Sequence, residues 1–126
     1  MQLSAKESLD AFQSQNSSTD RLWAYFSAVS LAVAGYAISN IDTITTARVL
    51  AISGAYAVFC INNNLALGAA QTLLISLAQI TRDTGSANGV SIDIRVLSCR
   101  TVRLGQGLMA AAVIIGIFSF SPLISN

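Results

Sequence analysis

The chain has 126 residues, of which 53% are hydrophobic and only 10% are charged, and its formal net charge is +1. An ordinary globular domain has roughly 25% charged residues, and one of this size buries only about 60–70% of its chain surface, so this composition excludes a typical small soluble domain. The chain contains no histidine and therefore lacks the commonest general base and metal ligand.

Residues 1–20 are predicted to form a short amphipathic helix on the cytoplasmic side. Ser4 and Glu7 have the spacing of a capping box. Leu9 and Phe12 fall on one helical face. This helix would either lie on the membrane surface or pack against the membrane domain of its own oligomer.

Three charge-free stretches follow, at residues 22–41, 49–81 and 104–126. Each is long enough for the ~20 apolar residues that cross ~30 Å of hydrocarbon. We therefore predict an all-α integral membrane protein in which residues 21–126 form a three-span domain. A second helix start at residues 17–20 would open the first span.

The spans are expected at about residues 22–41, 48–80 and 104–121. The middle stretch would measure ~50 Å as a helix, which is longer than one span requires. Lys and Arg residues sum to six on the side of the N-terminus and the loop 82–103, against one, Arg48, on the other side. The positive-inside rule then predicts a multi-pass protein of the inner (plasma) membrane, with a cytoplasmic N-terminus, a cytoplasmic loop 82–103 and a periplasmic C-terminus.

The middle stretch contains three consecutive asparagines, Asn62–Asn64. On a helical wheel of ~100° per residue, a polar stripe forms on one face, with Asn62 on the opposite face. The predicted pore-lining residues of this stripe are Tyr56, Asn63, Asn64, Leu67 and Gln71. An unpaired amide in hydrocarbon costs ~2–7 kcal/mol, so these side chains require water or partners.

Three interpretations of the stripe compete. In the first, which we favour, it lines a water-filled pore in a homo-oligomer, with Leu67 as a hydrophobic gate. In the second, the amides form hydrogen bonds between helices and only hold a bundle together. In the third, the helix breaks at Asn62–Asn64 and forms a re-entrant hairpin.

The loop 82–103 contains an ambiguous segment and a basic cluster. Within residues 91–103, Ile92, Ile94 and Val96 alternate with charged residues as in a strand. Helical spacing also fits, and we predict a helix because a lone strand would have no partner. The predicted ligand-binding residues are Arg82, Arg95, Arg100 and Arg103. Their guanidinium groups suit forked contacts to the phosphates of a nucleotide or oligonucleotide, or they only set orientation and contact lipid phosphates.

No catalytic motif accompanies these features. The carboxylates are scattered, and no Cys-x-x-Cys pair, phosphate-binding glycine loop or nucleophile elbow occurs. We therefore expect a protein that is not an enzyme and that uses no metal or cofactor.

The organisation of the chain resembles that of small membrane effectors of bacterial anti-phage systems, such as the Hailong type. This likeness rests on the three spans, the stripe around Asn63 and Asn64, and the cluster of Arg95, Arg100 and Arg103. This resemblance implies an oligomeric channel controlled by a nucleotide or oligonucleotide at the cytoplasmic face. The expected function is a homo-oligomeric ion-conducting or membrane-permeabilising pore in antiviral defence. The alternatives are a holin and a non-conducting structural or assembly subunit.

Overall fold

The computed structural model describes residues 3–119, which form three α-helices and no strand. The helices are α1 (Ala5–Ser39), α2 (Thr46–Ala87) and α3 (Cys99–Ser119). Each is long and apolar enough to cross a membrane. The all-α prediction with three membrane-compatible helices is therefore confirmed. The expected end of the third span, at about residue 121, lies outside the described residues.

The first helix differs from the prediction because it is continuous. The capping box is present: Ser4 N donates to Glu7 Oε2 at 2.8 Å, and Glu7 N donates to Ser4 Oγ at 3.2 Å. No new helix begins at residues 17–20, where Thr19 is instead buried and donates to the Gln15 carbonyl at 3.0 Å. Packing against α2 therefore carries the helix through this polar segment, and the amphipathic and membrane-compatible parts form one helix of ~52 Å.

The second helix is also continuous, and its 42 residues span ~63 Å. It passes through Asn62–Asn64 without interruption, so the third interpretation of the stripe, a re-entrant hairpin broken at these residues, is wrong. The helix ladder satisfies the backbone of these asparagines, and only their side chains need partners.

The three helices pack antiparallel in sequence order. Gln15 of α1 donates to the carbonyl of Ala70 on α2 at 3.3 Å. Cys99, the first residue of α3, lies beside the Gly68 carbonyl, with its Sγ 3.7 Å from that oxygen. Because α3 begins there and runs back along α2, it covers only the first half of α2. Two buried clusters fill the three-helix part: Phe26, Tyr56, Cys60 and Ala110, and then Ala37, Ile44, Val49 and Ile117.

The connection between α2 and α3 is extended, so the helix predicted over residues 91–98 is wrong. Ile92, Ile94 and Val96 are half-buried and alternate with exposed residues, as the strand-like pattern indicated. The partner is the surface of α2 rather than another strand. A Cβ built at Gly85 would lie 2.7 Å from Ile92 Cδ1, so glycine permits this close approach.

Side chains of α2 satisfy the backbone of this extended segment. The Arg82 guanidinium donates to the Ile94 carbonyl. Gln71 Nε2 donates to the Leu97 carbonyl at 2.6 Å. Since each donor occupies a carbonyl that a sheet would otherwise pair, the segment is extended without needing a second strand.

Candidate functional site

The polar stripe of α2 faces the interior of the protomer. Tyr56, Asn63, Leu67 and Gln71 are 2%, 8%, 0% and 3% exposed, respectively. The stripe meets α1 on one side and α3 with its preceding segment on the other. Within the protomer, these predicted pore-lining side chains are therefore enclosed by the chain's own helices.

Most of these residues have partners within the same chain. The hydroxyls of Tyr56 and Ser30 are 2.7 Å apart and share a hydrogen bond between α2 and α1. Gln71 reaches the Leu97 carbonyl, as described above. Leu67 is completely buried, so a gate formed by Leu67 would require the helices of one protomer to separate.

Asn64 is the centre of an amide network between α2 and α3. Its Nδ2 donates to Gln106 Oε1 at 2.8 Å and to the Arg103 carbonyl at 3.4 Å. Its Oδ1 accepts a hydrogen bond from Arg103 Nε at 3.1 Å. Interhelical hydrogen bonds of this kind contribute ~0.6–2 kcal/mol each in membranes. The network agrees with the second interpretation of the stripe, in which the amides hold helices together.

Gln106 is a member of this network that the sequence prediction missed. It is the only glutamine in the charge-free stretch 104–126, and it is 1% exposed. A lone amide in an apolar helix is a signal for a polar partner on a neighbouring helix. Asn64 of α2 supplies that partner.

Some donors in this interior remain unpaired. Asn63 Nδ2, Gln106 Nε2 and Ser53 Oγ are buried without a hydrogen-bond partner among the described residues. Each such group costs ~1–3 kcal/mol of desolvation. The interior of the three-helix part therefore retains hydrogen-bonding capacity that the chain itself does not use.

The four predicted ligand-binding arginines do not form one cluster in the protomer. Arg82 contacts the Ile94 carbonyl, whereas Arg103 contacts Asn64. On α2, Asn64 lies 18 positions before Arg82, which is ~27 Å along the helix. Arg95 is exposed, and its Nε lies 4.0 Å from Asp93 Oδ2. Arg100 is exposed in the first turn of α3. A single phosphate group within one protomer cannot contact all four.

The face of α2 opposite the buried stripe is exposed in the protomer, and we call it the outer α2 face. At its edges, Ala51 borders a groove against α1 and Leu65 borders a groove against α3. The exposed residues of the outer α2 face recur at alternating steps of four and three positions, and most have small side chains. They are Ala51, Ala55, Val58, Asn62, Leu65, Ala69, Thr72 and Ser76. Asn62 lies opposite the buried stripe, as the helical wheel indicated, and it is the one exposed amide of the three asparagines.

The described residues also contain no group of three or more His, Cys, Asp or Glu side chains that could hold a metal ion. Cys60 and Cys99 are both free thiols.

No family model, no curated protein and no solved structure matches this chain.

Proposed function

We propose that the chain is a homo-oligomeric membrane protein whose protomers assemble with the outer α2 face toward a common axis and enclose an ion-conducting pore. The observation that carries this proposal is the contrast between the two outward surfaces of the α1–α2 hairpin. One surface is polar, and the other bears apolar and small side chains.

The position of the bilayer follows from the charges. The second half of α1, the first half of α2 and all of α3 lie side by side. Arg48 marks one end of this unit, and Arg103, beside Asn64, marks the other. Arg48 and Asn64 are 16 residues apart, or ~24 Å along α2, close to the ~30 Å of the hydrocarbon layer.

The remainder of the hairpin then projects from the membrane. Residues 65–87 of α2 extend ~34 Å beyond the arginine level, alongside the first half of α1. This projection accounts for the excess length of the middle charge-free stretch. It also places Asn62–Asn64 near the headgroup level, where polar side chains cost less than at the bilayer centre.

The projecting hairpin has two unlike surfaces. Between Lys6 and Arg21, every exposed side chain of α1 is polar or charged. On α2, Leu65, Leu73 and Ile80 are 59%, 50% and 42% exposed. A row of exposed apolar side chains in water favours association. A closed ring with α2 inside and α1 outside buries this row while the polar surface stays hydrated.

The outer α2 face then borders the axis. Ala51, Ala55 and Ala69 occupy little space, and Asn62 supplies an amide at the headgroup level. Val58 is the largest side chain between Ala51 and Asn62 on this face and would form a hydrophobic constriction that gates by excluding water. The orientation that we favour has the N-terminus in the cytoplasm. Control by a nucleotide or oligonucleotide is a separate prediction, which rests on the positive charge of the arginines.

The arrangement is tested by cysteine cross-linking in a Cys60→Ala/Cys99→Ser background. Ser76→Cys on the outer α2 face should give cross-linked oligomers under mild oxidation in membranes. Ser14→Cys on the polar surface of α1 is the matched control, since it is an exposed serine on the other helix, and it should give none. Purified protein in planar bilayers should also pass current. Equal cross-linking at both positions would contradict the ring with α2 inside.

A second candidate function is favoured by the amide network. Since Asn64 bonds to both Gln106 and Arg103 within one protomer, these polar side chains need no water-filled axis, as expected of a non-conducting structural subunit. That subunit would show the same Ser76→Cys cross-links but no current. The two measurements together therefore separate the candidates.

A further inference from the structure

We infer that the groove between α2 and α3 binds an acyl chain of an anionic phospholipid whose phosphate contacts Arg103. This inference rests on the proposed position of the helices in the membrane, but it does not depend on conductance. Its elements are the shape of the groove, the charge at its mouth and an unpaired donor on its wall.

The groove is open along one side and has a volume of about 500 Å³. This volume lies within the ~300–1,000 Å³ range of ligand sites. Its wall is almost entirely apolar and is built from Ala57, Ile61, Leu65, Gly107, Ala111 and Ile114. The absence of a side chain at Gly107 and the small alanines keep α3 from filling the space.

The length of the groove fits one leaflet. It extends along α3 from Arg103 to Ile114, which corresponds to ~16 Å of helix. Half of a ~30 Å hydrocarbon layer is ~15 Å. A long apolar chain that enters at the arginine level and ends near the bilayer midplane matches this shape better than a compact solute does.

The polar end of the groove carries a positive charge. Arg103 Nε donates to Asn64 Oδ1 at 3.1 Å, which fixes the side chain at the mouth. Within residues 3–119, no carboxylate lies within 4.0 Å of Arg103. The terminal guanidinium nitrogens therefore suit a forked contact to a phosphate group. A net negative lipid is favoured over a zwitterionic one because no acidic group in the site pairs with a headgroup cation.

Gln106 provides an independent observation on the wall of the same groove. It is 1% exposed, and its Oε1 is occupied by Asn64. Its Nε2 donor has no partner in the described part of the chain. An ester or phosphate oxygen of a lipid seated beside Arg103 would give this donor an acceptor.

Native mass spectrometry of the detergent-purified protein tests the site, with equal amounts of dioleoylphosphatidylglycerol and dioleoylphosphatidylcholine as probes. Their acyl chains are identical, so only the headgroup charge differs. Wild type should retain the anionic lipid about fivefold more than the zwitterionic one, the ratio that ~1 kcal/mol per arginine gives. Arg103→Gln should remove this preference, whereas Arg95→Gln, an exposed arginine elsewhere, should keep it. Glycerol 3-phosphate should not displace the lipid.

The groove itself is tested by a matched pair of substitutions on α3. Ala111→Phe places a ring in the groove and should reduce retention of both lipids, while Ala112→Phe, at the next exposed position, should not. Both positions are exposed, so this pair decides the question even if Arg103→Gln impairs folding. Equal retention of the two lipids by wild type, or equal effects of the two phenylalanines, would overturn the proposal whether or not the protein conducts.

Discussion

Replacing Asn64 by leucine should destabilise the contact between α2 and α3 by about 2–4 kcal/mol. The substitution removes the 2.8 Å hydrogen bond to Gln106 Oε1 and the 3.1 Å bond from Arg103 Nε. Interhelical bonds of this type contribute ~0.6–2 kcal/mol each. Gln106 is almost fully buried, so its Oε1 would also be left unpaired at a cost of ~1–3 kcal/mol. The lost hydrogen bonds and the unpaired acceptor partly describe the same loss, so the upper end of the expected range is smaller than their full sum.

The double variant Asn64→Leu/Gln106→Leu should be less destabilised than Asn64→Leu alone. Replacing both partners with apolar groups removes the orphaned acceptor, and such exchanges can be nearly neutral. Asn62→Leu is the matched control because Asn62 is exposed on the opposite face, and its effect should stay within ~0.5 kcal/mol.

Unfolding of these variants can be followed in micelles by titration with sodium dodecyl sulfate. Trp23 fluorescence reports the packed state, since Trp23 packs against the buried cluster of Phe26, Tyr56, Cys60 and Ala110, to which all three helices contribute. Equal free energies of unfolding for Asn64→Leu and Asn62→Leu would refute the role of the network. A double variant less stable than Asn64→Leu alone would refute the orphaned-acceptor argument.

Three further predictions concern topology, ligand binding and the extended segment. Alkaline phosphatase fused after Asn126 should be active and a fusion after Gly89 should be inactive, because the basic residues favour a cytoplasmic loop. The reverse activities would show the opposite orientation. If Arg95, Arg100 and Arg103 bind an oligonucleotide, fluorescence anisotropy should show an affinity for it that falls steeply with salt and is lost when all three become Gln. The absence of binding at low salt would leave these arginines only a topological role. Gly85→Ala should increase hydrogen exchange in residues 90–98, because its Cβ would meet the Val90 carbonyl at 3.1 Å, whereas Gly54→Ala, with no atom within 4 Å, should not.

The helices could be predicted from the sequence because charges are excluded from apolar spans. The charge-free stretches 22–41, 49–81 and 104–126 therefore indicated the three helices, and the Ser4–Glu7 spacing correctly indicated the start of α1. Both signals are local, and each reflects a physical constraint on a single segment.

Features that depend on tertiary contacts were not predicted. Polar residues at 17–20 resemble a helix start, but packing of α1 on α2 keeps the helix intact. The segment 91–98 was assigned to a helix for want of a partner strand, and the partner proved to be Arg82 and Gln71 on α2.

The candidate site was also predicted only in part, because its contacts depend on tertiary packing. A helical wheel identified correctly that Asn63, Asn64 and Gln71 share a face of α2 and that Asn62 lies opposite. It could not show which face meets α1 and α3, because that depends on the direction in which the neighbouring helices pack. The single amide at Gln106 was the available signal for the α3 partner.

The most direct test of the proposed pore is block of single-channel current by a negatively charged thiol reagent, in the Cys60→Ala/Cys99→Ser background. If the outer α2 face borders the lumen, Asn62→Cys channels should conduct and lose most of their current on modification. Asn63→Cys channels should be unaffected, because Asn63 is enclosed within the protomer. Block at Asn63→Cys but not at Asn62→Cys, or no current from any variant or from wild type, would contradict the proposal.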